Sequence, residues 1–232
     1  MTMTQRVTRR ERERLMRRQE ILDAARVVFA QKGFNAATLD DVAERAEFGK
    51  GTLYNYFPNK EALFISVIED SFDTVKGIAE DAFAGPGSFS AKVEAFVRGE
   101  LSYFFRNLES VQLMLREAHH VRGGHSMMQL MPQLLAIVAV TVAAEQEQGR
   151  VVPDVDPADL SLMLVNMLFS QFTCRIYRRV HAATGESPGL CGEGNLAALF
   201  AGITPQEIDR EIEAGTRLVH TVFFQGVGRG EG

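Results

Sequence analysis

Lys50-Gly51-Thr52-Leu53-Tyr54-Asn55-Tyr56-Phe57, closed by Pro58-Asn59-Lys60-Glu61-Ala62-Leu63-Phe64, is the stretch whose reading decides the fold. Leu53 and Phe57 lie four residues apart, so on a helix they share one face and anchor it inward. Lys50, Thr52, Tyr54, Asn55 and Tyr56 are left outward or flanking, where amide and aromatic side chains can meet phosphates, thymine methyls and base edges. Gly51 and Thr52 are small where a backbone must approach phosphate. Pro58-Asn59-Lys60 ends this helix and starts another, whose free amides, with Lys60, offer a phosphate a positioning contact.

Working backward, Ile21, Ala24, Ala25, Val28 and Phe29 recur at helical steps, and Lys32-Gly33 gives that helix a cation and a glycine at its end. Thr38 can cap the free amide of Asp41 and open a second helix with Leu39, Val42, Ala43 and Ala46 inward. Glu47-Phe48-Gly49 is the turn before Lys50 to Phe57. Two short helices about a turn form a helix-turn-helix, with Thr38, Lys50, Gly51, Thr52, Tyr54, Asn55, Tyr56 and Lys60 as the expected DNA-facing set.

The formal net charge of −5 looks wrong for such a partner until it is placed along the chain. Residues 1–60 hold 12 of the 25 Lys and Arg but only 8 of the 30 Asp and Glu, a local net of +4. Arg6, Arg9, Arg10, Arg12, Arg14, Arg17 and Arg18, interrupted by Glu11 and Glu13, form the densest cationic stretch. It is either a solvated arm or a phosphate-contacting one.

Beyond the motif the pattern is helical throughout. A fourth helix fits Lys60 to Phe83, with Leu63, Phe64, Val67, Ile68, Phe72 and Val75 on one face, and Gly85-Pro86-Gly87-Ser88 breaks the chain. Further helices fit the stretch from Ser88 or Ser90 to Asn107, then Glu109 to Val121, Ser126 to Gln148, Asp156 to Ala183 and Pro205 to Gly226. Asp156-Pro157-Ala158-Asp159 and Thr204-Pro205-Gln206-Glu207 each carry a cap, a proline at the first position and an acid three residues on. Thr184 to Ile203 reads as a long loop with a short turn at Asn195 to Phe200, and the tail from Gly226 as disordered. The fold class is all-α.

Composition, with 46% hydrophobic and 24% charged residues, is that of a soluble globular protein. Met1 leads into polar and basic residues, and the longest apolar run, Leu130 to Ala144, is short for a bilayer and contains Pro132 and Gln133. The expectation is a cytoplasmic protein with no membrane partner. Cys174 and Cys191 are too few for a disulfide framework and too far apart for a metal pair. His119, His120 and His125 lack the His-x3-His spacing of a zinc helix, so no metal and no cofactor are expected. The nucleophile-elbow, P-loop, His-Glu-x-x-His and deaminase motifs are absent, which leaves a small helical enzyme as the weakest alternative. A ligand-independent DNA coat is the other.

The stretch Ile21 to Ile68 resembles the N-terminal domain of the tetracycline-repressor (TetR/AcrR) family of transcriptional regulators. The resemblance is carried by Ile21-Leu22-Asp23-Ala24-Ala25, Phe29, Gly33-Phe34, Ala37-Thr38, Val42-Ala43, Gly51 to Phe57 and Lys60-Glu61-Ala62-Leu63. It implies a basic arm over 1–18, a three-helix DNA-binding domain over 19–64, and a helical effector-binding and dimerisation domain over 65–228. It also implies a non-enzymatic repressor that binds a palindromic operator in double-stranded DNA as a homodimer and is released by a small-molecule effector. One departure is physical: the family's usual glycine, apolar residue and serine at the turn are here Glu47-Phe48-Gly49. If the turn needs a left-handed residue where Glu47 sits, that costs about 1 kcal/mol relative to glycine, and Gly49 caps less well than serine.

For the body, the resemblance implies a dimer through the last two long helices and a cavity among the middle ones. Ile208, Ile212, Gly215, Val219 and Val222 step by four, three, four and three, the spacing of a packing seam, either between copies or within one subunit. Met163 and Met167, on a helix apolar almost all round, join them as dimer candidates. Effector candidates are Phe104, Phe105, Leu108, Met114, Met127, Met131, Leu135 and Phe169, with His119, Arg116 and Arg175 as polar partners for an acidic, mainly apolar ligand. The same methionines at helical spacing also suit ordinary core.

Overall fold

The computed structural model describes residues 8–117, 127–185 and 202–227. Among these residues it is all helix, with no strand, in two compact units, Met1–Ser71 and Phe72–Gly232.

The first unit contains α1 (Arg9–Ala36), α2 (Leu39–Arg45), α3 (Lys50–Tyr54) and the start of α4 (Lys60–Ala84). Thr8 opens α1 through a capping box with Glu11, so the stretch expected as an arm is helical from Arg9 onward. Gly33, at φ 75° and ψ 161°, leaves helical geometry and interrupts α1 where Lys32-Gly33 was expected to end it. Of the residues expected inward on these four helices, Ile21, Ala24, Ala25, Val28, Phe29, Val42, Ala43, Leu53, Phe57, Leu63 and Val67 are buried, while Leu39 and Ala46 are half-buried. α3 is shorter than expected. It ends at Tyr54, and the amides of Tyr56 and Phe57 turn back to the Leu53 carbonyl at 3.0 and 2.9 Å, which points Phe57 into the core. Asn59 caps α4, its side-chain oxygen accepting from the Ala62 amide at 2.7 Å.

The second unit holds the rest of α4 with α5 (Phe89–Arg106), α6 (Leu108–Glu117), α7 (Met127–Glu147), α8 (Pro157–Thr184) and α9 (Pro205–Val227). Ser88 caps α5, Asp156 caps α8, and Thr204 and Glu207 form the expected box at the start of α9. Most of residues 184–203, with the turn expected at Asn195 to Phe200, lie outside the described residues, as do His119, His120, His125 and Cys191.

α5 is the central packing element, because glycines let neighbours approach it on two sides. A Cβ at Gly99 would stand 2.6 Å from the Ile78 side chain of α4, and one at Gly215 of α9 would stand 2.8 Å from Leu101. Phe83 and Phe96 meet at 5.2 Å, and Phe104 and Phe105 close on Phe172 of α8 at 5.4 and 5.1 Å. Inside this core Glu100 is 1% exposed and its Oε1 has no partner. Burial pushes its carboxyl well above the usual range, which favours its neutral form.

Candidate nucleic-acid interface

α2 is fixed before α3 is placed. The Thr38 hydroxyl oxygen accepts from the Asp41 amide at 3.1 Å, while the Asp41 carboxylate accepts from the Thr38 amide at 2.9 Å. Lys32 on α1 pairs with the same carboxylate at 2.7 Å, tying α1 to α2. The Lys32 bond first, and Thr38 second, pull the Asp41 carboxyl down to about 2.

The turn then takes the form its residues foreshadow. Glu47 lies at φ 56°, the left-handed position that favours glycine, and Gly49 precedes α3 without a side-chain cap bond. The Phe48 amide reaches the Ala43 carbonyl at 2.9 Å and the Thr52 amide the Gly49 carbonyl at 2.9 Å, so backbone bonds hold what the side chains do not.

α3 presents one dry and one wet face. Leu53 and Phe57 are buried; Lys50, Gly51, Tyr54 and Asn55 are exposed; Thr52 and Tyr56 are half-buried. Tyr54 is a large aromatic with 57% of its surface in solvent. A Cβ at Gly51 would meet nothing within 4 Å, so nothing inside the subunit requires a glycine there. Lys50 is paired with Asp40, which raises its ammonium above its ordinary range; a phosphate would have to compete with that carboxylate.

Lys60 departs from its expected role. Its ammonium donates to the carbonyls of Phe34, Asn35 and Ala37 at 2.7, 3.1 and 2.9 Å and sits 4.7 Å from the centre of the Phe34 ring. An ammonium has three donors and all three are taken, so Lys60 ties the end of α1 to α4 instead of presenting a free charge to phosphate. Arg18, a member of the basic stretch, lies 5.3 Å over the Phe57 ring, while Arg9, Arg10, Arg12, Arg14 and Arg17 are exposed along α1. Spacing alone did not signal the Arg18–Phe57 contact, because it joins residues remote in sequence.

The body candidates separate. Ile212, Val219 and the buried Gly215 face the interior of the subunit, and Ile208 packs on the same core, so this seam is intramolecular in place of the expected contact between copies. Met163 and Val222 are exposed and Met167 is half-buried; Leu162 and Leu218, which the seam spacing overlooked, are exposed beside them. Phe104 and Phe105 are core, Leu108 and Met131 pack against it, Leu135 is half-buried and Phe169 is exposed. Phe105 and Arg175 line one cavity of about 280 Å³. His119 and the side chains of Met114, Arg116 and Met127 lie outside the described residues. No helix among the described residues is long and apolar enough to cross a membrane.

With the geometry in view, comparison with known proteins gives a consistent picture. Residues 21–67 match the family model described as bacterial regulatory proteins, tetR family. The HTH-type transcriptional regulator YhgD of Bacillus subtilis strain 168 is 27% identical over 152 residues, covering 66% of this chain and 78% of its own. The fatty acid degradation regulator FadR from Bacillus halodurans shares the fold at a TM-score of 0.65 and 17% identity, over 87% of this chain and 97% of its own. FadR from Bacillus subtilis, solved in complex with stearoyl-CoA, does so at 0.61 and 18%, over 80% and 99%.

Proposed function

The chain belongs to the TetR family of bacterial transcriptional regulators, and from that premise we propose that it is a repressor that binds a palindromic operator as a homodimer and is released by a small effector. That it regulates transcription, and is not an enzyme, follows from the family itself. The finer assignment rests above all on α3, where Gly51 and Tyr54 are exposed while Leu53 and Phe57 are buried and anchor the helix. Residues 19–64 act as the DNA-binding domain, with the stretch up to residue 18 beside it, and 65–228 as the effector and dimer domain.

Two copies associate through the outer faces of α8 and α9. Leu162, Met163, Met167, Leu218 and Val222 line one shallow apolar depression of about 460 Å³, and a side chain of a second copy suits it better than water. Two recognition helices then read half-sites about 34 Å apart. The effector is acidic and mainly apolar; the Bacillus subtilis FadR was solved with stearoyl-CoA, which joins an anionic moiety to an apolar chain. An effector that prefers one shape of the body shifts the population; one with equal affinity for both shapes changes nothing.

Footprinting over the promoter regions flanking the gene tests this directly. One protected palindrome is expected, with Thr52→Ala and Asn55→Ala relaxing sequence preference and Tyr56→Ala weakening all sequences alike. Uniform coverage would instead identify a ligand-independent DNA coat.

A further inference from the structure

α1 begins well before the core that it packs on. Its buried residues start at Ile21, whereas every residue from Thr8 to Arg17 is exposed. A helical stretch that buries so little leans on its end: the Thr8 hydroxyl oxygen accepts from the Glu11 amide at 3.3 Å, and the Glu11 carboxylate accepts from the Thr8 amide at 2.7 Å. Glu13 in turn accepts from the Arg9 guanidinium at 2.9 Å. Both carboxylates of the stretch are therefore engaged in holding it.

The remaining charge is unopposed. Residues 8–18 contain six arginines against those two glutamates, and Met1 to Val7 add Arg6 and no acid. Arg10, Arg12, Arg14 and Arg17 have no ion pair among the described residues, and Glu20, the next acid along the chain, makes none with them. Arg10, Arg14 and Arg18 follow at four-residue steps, a stripe on the side of α1 that Ile21, Ala25 and Phe29 bury farther on. Arg18 lies 5.3 Å over the ring of Phe57, so the stripe leaves the head where α3 ends. With a rise of about 1.5 Å per residue, Arg14 and Arg10 stand about 6 and 12 Å farther out along the axis.

We infer that this extension of α1 is a second DNA-binding surface, which lays Arg10 and Arg14 on phosphates of double-stranded DNA outside the base pairs that α3 reads. A duplex carries one negative charge per about 1.7 Å of its axis, which matches a rigid cationic stripe running on from the recognition helix. Leu15 and Met16, 59% and 63% exposed, are the only large apolar side chains between Thr8 and Arg18, and a helix seated on lipid needs a whole apolar face. Contact with the backbone adds affinity without sequence preference. The inference rests on the DNA-binding reading of the head and carries it beyond residues 19–64.

Anisotropy of a labelled mixed-sequence duplex, titrated with the full-length protein from about 50 to about 200 mM salt, tests the contact without an operator. Each phosphate contact contributes about 0.9 to the slope of log affinity against log salt, so Arg10→Gln and Arg14→Gln should each reduce it by about 1, and both together by about 2. The double variant should bind roughly tenfold or more weakly at the low-salt end. Glutamine matches arginine in helix propensity, so the extension keeps its shape. Arg10→Lys with Arg14→Lys should retain the slope, because a phosphate accepts either cation. Lys92→Gln removes the same charge from α5 and should leave the slope unchanged. Unchanged slopes in both glutamine variants, or an equal loss in Lys92→Gln, overturn the contact and leave the recognition helix in place. Wild type that binds no duplex at all would instead remove the DNA reading of the head, and the inference with it. Tighter binding to phosphatidylglycerol vesicles than to the duplex would assign the stripe to a lipid surface and overturn the inference alone.

Discussion

Lys60 caps Phe34: its ammonium donates to the Phe34 carbonyl at 2.7 Å and lies 4.7 Å from the centre of the same residue's ring. The ring in turn packs edge-on against Phe64 at 4.9 Å, so the cation, the end of α1 and the start of α4 form one joint. Hydrogen bonds from a charged group each contribute more than neutral ones, and Lys60→Met leaves three carbonyls with water or nothing. A loss of about 2 kcal/mol in head stability is expected. Lys60→Arg should not restore it, because a planar fork cannot aim at three converging carbonyls. The decisive measurement is the salt dependence of operator binding at a temperature where the variant is folded. An unchanged slope is expected, while a slope reduced by about 1 would return Lys60 to the phosphate backbone.

Gly51→Ala separates stability from DNA binding. Nothing within 4 Å opposes the added methyl, and alanine favours a helix by up to about 1 kcal/mol over glycine, so thermal stability should hold or rise. Operator affinity should fall if backbone meets phosphate at this position. A variant both stable and fully able to bind would remove Gly51 from the interface.

Glu47→Gly acts on the turn. With φ at 56°, the glutamate holds a conformation that costs about 1 kcal/mol relative to glycine, and its removal should raise the denaturation midpoint accordingly. The same change deletes a negative charge one turn ahead of α3, so operator affinity at low salt should also rise. No gain in stability would mean that the turn relaxes differently once the side chain is gone.

How much of this was legible beforehand depended on the range of the interaction. Caps and turns are local, so Thr38 with Asp41, Thr204 with Glu207 and the glycine break at Gly33 could all be read from neighbours in sequence, whereas the left-handed Glu47 was suggested only by the family's usual glycine at that turn. Periodicity found the buried faces of α1 and α4, but it cannot say what a face is buried against. The Ile212–Gly215–Val219 row is a true packing seam whose partner is α5 of the same subunit. Lys60 shows the same limit: a cation near a DNA motif suggests phosphate until a remote carbonyl claims it, and Arg18 of the basic stretch likewise lies over a remote ring. The cavity that Arg175 and Phe105 line needed α8 and α9 side by side; sequence supplied those two residues without their company.

Glu100 makes the body sensitive to rising pH. Its folded pKa is raised by burial, so the proton that it keeps in the core is lost readily from the unfolded chain. Above the ordinary glutamate pKa of 4.5 the unfolded state binds fewer protons than the folded one, and stability falls as pH climbs toward the folded value. Glu100→Gln keeps the shape without the proton equilibrium, and it should flatten this decline in urea unfolding measured from pH 5 to 8. Parallel curves for the two proteins would show that Glu100 is not the group responsible.

Gly215 and Val222 lie on the same helix and should answer to different assays. A methyl at Gly215 would stand 2.8 Å from the Leu101 side chain, itself fully buried, so Gly215→Ala obliges that side chain to repack and should cost about 1–3 kcal/mol of subunit stability. Val222 is 49% exposed beside Leu218 and Met163, so Val222→Glu should leave the subunit folded and place a charge on the proposed contact between copies. Sedimentation of the two variants distinguishes the faces: Gly215→Ala still self-associates while folded, and Val222→Glu remains a monomer at concentrations where wild type pairs. If Val222→Glu pairs as wild type does, the dimer forms elsewhere on the body, and the depression between α8 and α9 has another occupant.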